Sequence, residues 1–234
     1  LTPEKEDDMQ LVWIDLETTG LSPENDRILE VAVAFATLEN PFSVETLSTG
    51  GGVHSGGGVH SGGGVHSGGG VHSWVLGMRR DGWDLDRHGR GTGRVRVLDP
   101  FIVDMHTKNG LLEECYMSAT MIDHVEDELL KFIPEVEDKD ERATFAGSSV
   151  HFDLGFIRVH MPRLAKRLSH RVYCVSAVQL FCRSLGMAKP PKGPEPHRAA
   201  ADVLASIERA KLCSDWLGGP VPPEDAQPQG GRYA

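Results

Sequence analysis

The chain reads as an α/β domain built on a mixed sheet, its first three strands antiparallel and the later ones parallel, flanked by helices and interrupted by a long glycine-rich insertion. Three observations predict this. Two apolar, β-branched runs open the sequence with a turn between them. Helical and strand-like segments then alternate. A long alanine- and leucine-rich stretch closes the ordered part.

The elements follow in order. LVWID at 11–15 is an apolar run with β-branched and aromatic members, hence a buried strand. TTGLSPEND is a turn by its Gly, Pro, Asn and Asp content. RILEVAVAFATL is the second strand, ENPF a further turn and SVETL a short third strand. The hexapeptide GGGVHS then occurs four times between Gly50 and Ser73, carrying His54, His60, His66 and His72 at a constant step. Three consecutive glycines per unit make it costly to order, and one valine per unit offers little core. Charge and glycine mix without periodicity up to RVRVL, which suits a returning strand. SATMIDHVEDELLKFIPEV places Met121, Ile122, Val125, Leu129 and Leu130 near one helical face, and Pro134 stops it. ATFAGSS is a buried strand, HFDLGFIRVHM a helix, HRVYCVS a strand, and SAVQLFCRSLGM a helix ended by Gly186. AKPPKGPEP is a loop before the helix HRAAADVLASIERAKLCSDWL. The expected organisation is one domain over 8–216, a flexible Gly/His/Arg-rich insertion over 48–94, and a disordered tail over 217–234.

A formal net charge of −10 excludes a broad basic face for long nucleic acid. It leaves room for a short anionic substrate held through bound cations. Cys115, Cys174, Cys182 and Cys213 have no zinc-site spacing and read as reduced thiols of an intracellular protein, cytoplasmic or mitochondrial. No window is long and apolar enough to span a membrane.

The chemistry lies in scattered acids. Asp15 and Glu17 are two apart at the end of the first strand, so they share one face. Two carboxylates on so apolar a strand call for a neutralising cation. Asp153 falls in the first turn of a helix. His197 and Asp202 are five apart, about 140° of helical rotation, so they meet only if His197 precedes the regular helix. Carboxylates around divalent metal are the equipment of phosphodiester hydrolysis.

DLETTGL, GSSVHFDLGF and HRAAAD together resemble the three motifs of the DEDDh 3′–5′ exonucleases, which have a ribonuclease H-like fold. LVWIDLETTGL, HTKNGL, HMP and HRVYCVSAVQLF narrow the resemblance to the oligoribonucleases. The resemblance implies two Mg²⁺ or Mn²⁺ ions held by Asp15, Glu17, Asp153 and Asp202, with His197 as the general base. It implies a homodimer that degrades short single-stranded RNA to nucleoside 5′-monophosphates. Leu21 matches the residue that wedges against the terminal bases, Phe101 stands where a tryptophan is usual, and Ser149 matches a serine near the phosphate. His170 and Arg171 match a Tyr-Arg pair supplied across the dimer to cap the substrate, with histidine replacing the tyrosine. Ser148 and Cys174 also depart from the usual asparagine and aspartate. The alternatives are an exonuclease of the same superfamily trimming longer RNA or DNA ends, and a non-catalytic RNA- or metal-binding protein built on the Gly-His tract.

Overall fold

The computed structural model describes residues 10–44, 66–68, 70–80, 83–85, 91–95, 98–190 and 197–218. Six strands form one sheet in the order β3-β4-β2-β1-β7-β8. β1 (Gln10–Thr18) and β2 (Ile28–Thr37) are its long antiparallel centre. β3 (His66–Gly68) and β4 (Val71–Val75) extend it antiparallel beyond β2. β7 (Ala143–Gly147) pairs parallel with β1, and β8 (Leu168–Cys174) parallel with β7. β5 (Trp83–Leu85) and β6 (Gly91–Val95) make a separate two-stranded ribbon.

Alternation along β1 sorts the core into two layers. Val12, Ile14 and Leu16 face a cluster with α3 (Ile122–Phe132), α4 (His151–His160) and α5 (Pro162–Arg167), through Val125, Leu129, Phe156, Ile157 and Leu164. Leu11 and Trp13 face the other way, onto Ala199, Val203, Ile207 and Ala210 of α7 (Ala199–Leu217). The odd-numbered face of β1 is therefore the α7 face, and it continues from Leu11 and Trp13 to Asp15 and Glu17.

Two expectations are corrected here. The third antiparallel strand is β4, not SVETL: Ser43 and Val44 lie outside any strand, and 45–47 lie outside the described residues. The flexible insertion over 48–94 is also too wide, because β4 takes its last repeat unit into the core. Val71, Trp74 and Val75 are buried against β2 and the helices on both sides. The physical reason is the apolar Trp74-Val75-Leu76 that follows the final unit and pins it to the sheet. Residues 45–65 and 219–234, which hold most of the repeats and of the expected tail, lie outside the described residues.

Two helices precede α3. α1 (Pro100–Lys108) begins where the Asp99 side chain accepts from the Phe101 amide at 2.8 Å, with Pro100 at its first position. α2 (Leu111–Met117) follows after Gly110, whose φ of 82° makes the corner. α6 (Val175–Ser184) packs beside α7. All four cysteines are unpaired, three of them buried. No helix among the described residues is long and apolar enough to cross a membrane.

Candidate active site

The site forms where the α7 face of β1 turns from apolar to acidic. Asp15 pairs in register with Ala32, and Glu17 with Glu30, so all four stand over the N-terminus of α7. α7 starts at Ala199, which puts Asp202 in its first turn beneath them. One ligand atom each from Asp15, Glu17 and Asp202 lie within 4.8 Å of one another. Asp153, in the first turn of α4, is buried.

Burial and mutual repulsion act on these acids in the same direction. Burial, then Asp153, Asp202, Glu17 and Glu30, hold the Asp15 carboxyl well above the ordinary carboxylate range. Burial, then Asp202 and Glu30, push Glu17 up to about 8 against partial relief from Arg198. Burial raises Asp153 to about 7, although the Asp153 and Leu16 amides donate to it. Such a cluster holds protons at neutral pH unless a cation replaces them. The donors are all carboxylate oxygens, which suits a hard divalent ion such as Mg²⁺ or Mn²⁺.

His197 does precede the helix, as convergence with Asp202 requires. Its φ is 49°, in the left-handed region, and Arg198 then caps α7. Two anchors hold this turn. Arg198 bonds Glu30 through Nε (3.1 Å) and Glu114 through both terminal nitrogens, while Glu30 also accepts from the Ala199 amide at 3.0 Å. On the other side Asn109 donates to the His197 carbonyl at 2.6 Å. His106, fully buried, stands 3.6 Å from Glu17 Oε2 and feels the charge of His197. Burial lowers it to about 4, so it is neutral. Glu30, His106, Asn109 and Arg198 were not among the residues singled out by sequence. Their contacts span up to 169 positions, and only the quoted HTKNGL and HRAAAD motifs marked the segments that carry them.

The expected substrate residues are distributed differently. Leu21 is 81% exposed on a turn held by Asp26, which accepts from the Ser22 amide and the Thr19 hydroxyl. A Cβ at Gly20 would meet the Asp26 carboxylate at 2.4 Å, so a larger residue there would displace the side chain that holds the turn. Phe101 is 68% exposed on the first turn of α1. Ser149 is exposed, with φ 53°, and bonds Ser176 through both its amide (3.0 Å) and its hydroxyl (3.1 Å). His170 and Arg171 are exposed on β8, the sheet edge, with Arg171 paired to Asp140. Phe145 pairs with both Val12 and Val172, so Arg171 lies level with the start of β1. At 3.3 Å per residue the Asp15 end is roughly 13 Å further along. Within one chain the structure does not bring His170 and Arg171 to the acids.

The histidine of the last repeat is also apart. His72 shares a row with Val33 and Ile14, the face opposite the carboxylates. It is buried, and burial lowers its pKa.

No family model matches the chain. Among curated proteins, it is 30% identical over 223 residues to the oligoribonuclease of Corynebacterium diphtheriae, covering 93% of this chain and 88% of that one. It is 32% identical over 203 residues to the oligoribonuclease of Corynebacterium glutamicum, covering 86% and 76%. Among solved structures, it resembles the zinc-bound form of Escherichia coli exonuclease I in complex with single-stranded DNA, with a TM-score of 0.57 at 15% identity. That match covers 89% of this chain but only 41% of the exonuclease I chain, and it speaks for the fold. With sheet order, acid placement and relatives in agreement, the chain belongs to the oligoribonuclease family of 3′–5′ exonucleases.

Proposed function

We propose that this protein is a divalent-metal-dependent exoribonuclease that removes nucleoside 5′-monophosphates from the 3′ end of very short single-stranded RNAs. The observation that carries it is the carboxylate cluster of buried Glu17 with half-buried Asp15 and Asp202, where the end of β1 meets the first turn of α7, with Asp153 acting on Asp15. These four acids would hold two Mg²⁺ or Mn²⁺ ions. When bound, the ions supply Lewis-acid activation of water and neutralise charge on the departing 3′ oxygen.

The chain's own groups do the rest. An imidazole nitrogen of His197 takes the proton from the attacking water. Exposed Leu21 and Phe101 offer apolar surface to the terminal bases, a contact worth about 1–3 kcal/mol per base. The Ser149 hydroxyl offers a hydrogen bond to a phosphate. His170 and Arg171, out of reach within one chain, would serve the site of a second copy. In support of that homodimer, α6, the Leu185 that caps it, and α7 expose Leu180, Phe181, Leu185, Leu212 and Trp216, an apolar surface suited to a partner. The unit that carries this activity spans 8–216.

Product analysis over an RNA length series, with and without Mg²⁺, tests the proposal. Fastest turnover of dinucleotides, only with metal, is expected. Equal or faster processing of twenty-nucleotide RNA or DNA would replace it with an exonuclease of longer ends. Binding without any product would leave a non-catalytic protein.

A further inference from the structure

We propose that Asn109 is a positioning residue for His197. It holds the main chain of the base in the left-handed turn that keeps His197 out of α7. The inference rests on His197 taking the proton.

The orientation of the Asn109 carboxamide is fixed by its partners. The Leu111 amide can only donate, and it sits 3.1 Å from Asn109 Oδ1. The amide nitrogen Nδ2 is thereby turned outward, and it donates to the His197 carbonyl at 2.6 Å. The backbone of Asn109 is itself secured as the C-cap of α1, its amide bonding Met105 and Thr107 carbonyls. The donor therefore comes from a rigid corner, α1–Gly110–α2.

The acceptor end needs such a restraint. His197 has φ 49°, a conformation that residues other than glycine adopt uncommonly. Relaxed into a continuation of α7, it would stand about 140° around the helix from Asp202 and leave the site. Arg198 anchors the next residue to Glu30 and Glu114, so the turn is fixed on its helical side. The Asn109 bond fixes the carbonyl of His197 itself. The α1–α2 corner region thus reaches both residues, through Asn109 and through Glu114.

A mutant cycle on dinucleotide hydrolysis with Mn²⁺ tests this. Asn109→Asp keeps an acceptor for Leu111 and removes the donor to His197. It is expected to lower kcat by about 30-fold, less than the roughly 100- to 10,000-fold that a general base contributes because the base is displaced and not removed, with KM and Mn²⁺ affinity within about twofold. In a His197→Ala background the same change is expected to cost much less, only what passes through His106, whose Nδ1 also lies 3.4 Å from Asn109 Nδ2. Asn109→Ser, which keeps a hydroxyl donor, regains part of the rate. An unchanged kcat, an equal loss in the His197→Ala background, or a loss confined to KM would each overturn the proposal while His197→Ala itself is strongly impaired with measurable residual turnover. Full turnover by His197→Ala would remove the underlying assignment of the base, and this inference with it. Thermal melting checks that each variant is folded, and Asn109→Ala takes the place of the Asp variant in the same cycle where that one is not.

Discussion

β1 and β4 flank the same strand, β2, and put polar side chains into the same rows. Asp15 and Ser73 both stand opposite Ala32, and Ile14 and His72 both stand opposite Val33. Yet one strand carries the proposed chemistry, while the buried His72 and Ser73 of the other pack into the core. The difference lies in which charge state burial favours. A buried histidine settles as the neutral ring, so His72 can sit in the core with no partner for Nε2 among the described residues. Buried carboxylates held beside one another have no such quiet state at neutral pH unless a proton or a cation joins them. The last histidine of a conspicuous repeat thus packs into the core, while an unobtrusive i, i+2 pair of acids forms the carboxylate cluster.

The row shared by Asp15 and Ser73 gives the largest contrast. Asp15→Asn is expected to lower dinucleotide turnover by at least about a thousandfold, the scale seen when one member of a concerted catalytic group is lost. Ser73→Ala, on the other flank of Ala32, should leave kcat within about twofold. Chromatography of the mononucleotide product measures both, and a comparable loss in the two variants would erase the distinction.

The second contrast is in stability. Deleting Gly50–Ser73 removes Val71–Ser73 from β4, and the buried Val71 side chain alone is worth about 2 kcal/mol. A large drop in denaturant midpoint is expected. A neutral result would mean that β4 is dispensable.

The third is pH. In metal-free protein Glu17, at about 8, binds its proton more tightly folded than unfolded. The stability linked to it is complete below about pH 4.5 and is lost as pH rises through about 8. Mn²⁺ should therefore raise the melting temperature more at pH 8 than at pH 5. His72 has the opposite sign: its folded value is depressed, so its contribution is lost as pH falls below about 6.5. His72→Leu should flatten that acid limb in part, with His106 keeping the remainder. Melting curves across pH, with chelator or Mn²⁺, separate the two, and a metal effect independent of pH would break the account of the acids.

Much of this was legible in the sequence. The strand period put Asp15 and Glu17 on one face, and the 140° step from Asp202 already required His197 to leave the helix. α3, α4 and α7 stand where periodicity set them, with ends shifted by a few residues. β4 was hidden because a single valine per glycine-rich unit carries little strand signal, and its burial comes from Trp74 and Val75 beyond the repeat. α1 and α2 are too short for a periodic pattern. Asn109, Glu30 and Arg198 act through contacts far apart in sequence, which no local pattern records.

The smallest expected effect is a deletion of Gly50–Ser61, two whole repeats outside the described residues. Turnover and melting temperature should stay close to those of the full chain, since closure entropy changes only slowly with the length of a connection. A marked loss of activity would give the repeats a role of their own.

That tolerance has a hereditary side. Six is an even number, so each GGGVHS unit presents the same face as the last when read as a strand. β4 is pinned from its far end by Trp74 and Val75. A gene that gains or loses a unit by replication slippage therefore delivers the same VHSWV to β2. Variation in copy number is invisible to the sheet, and selection on the carboxylate cluster need not oppose it.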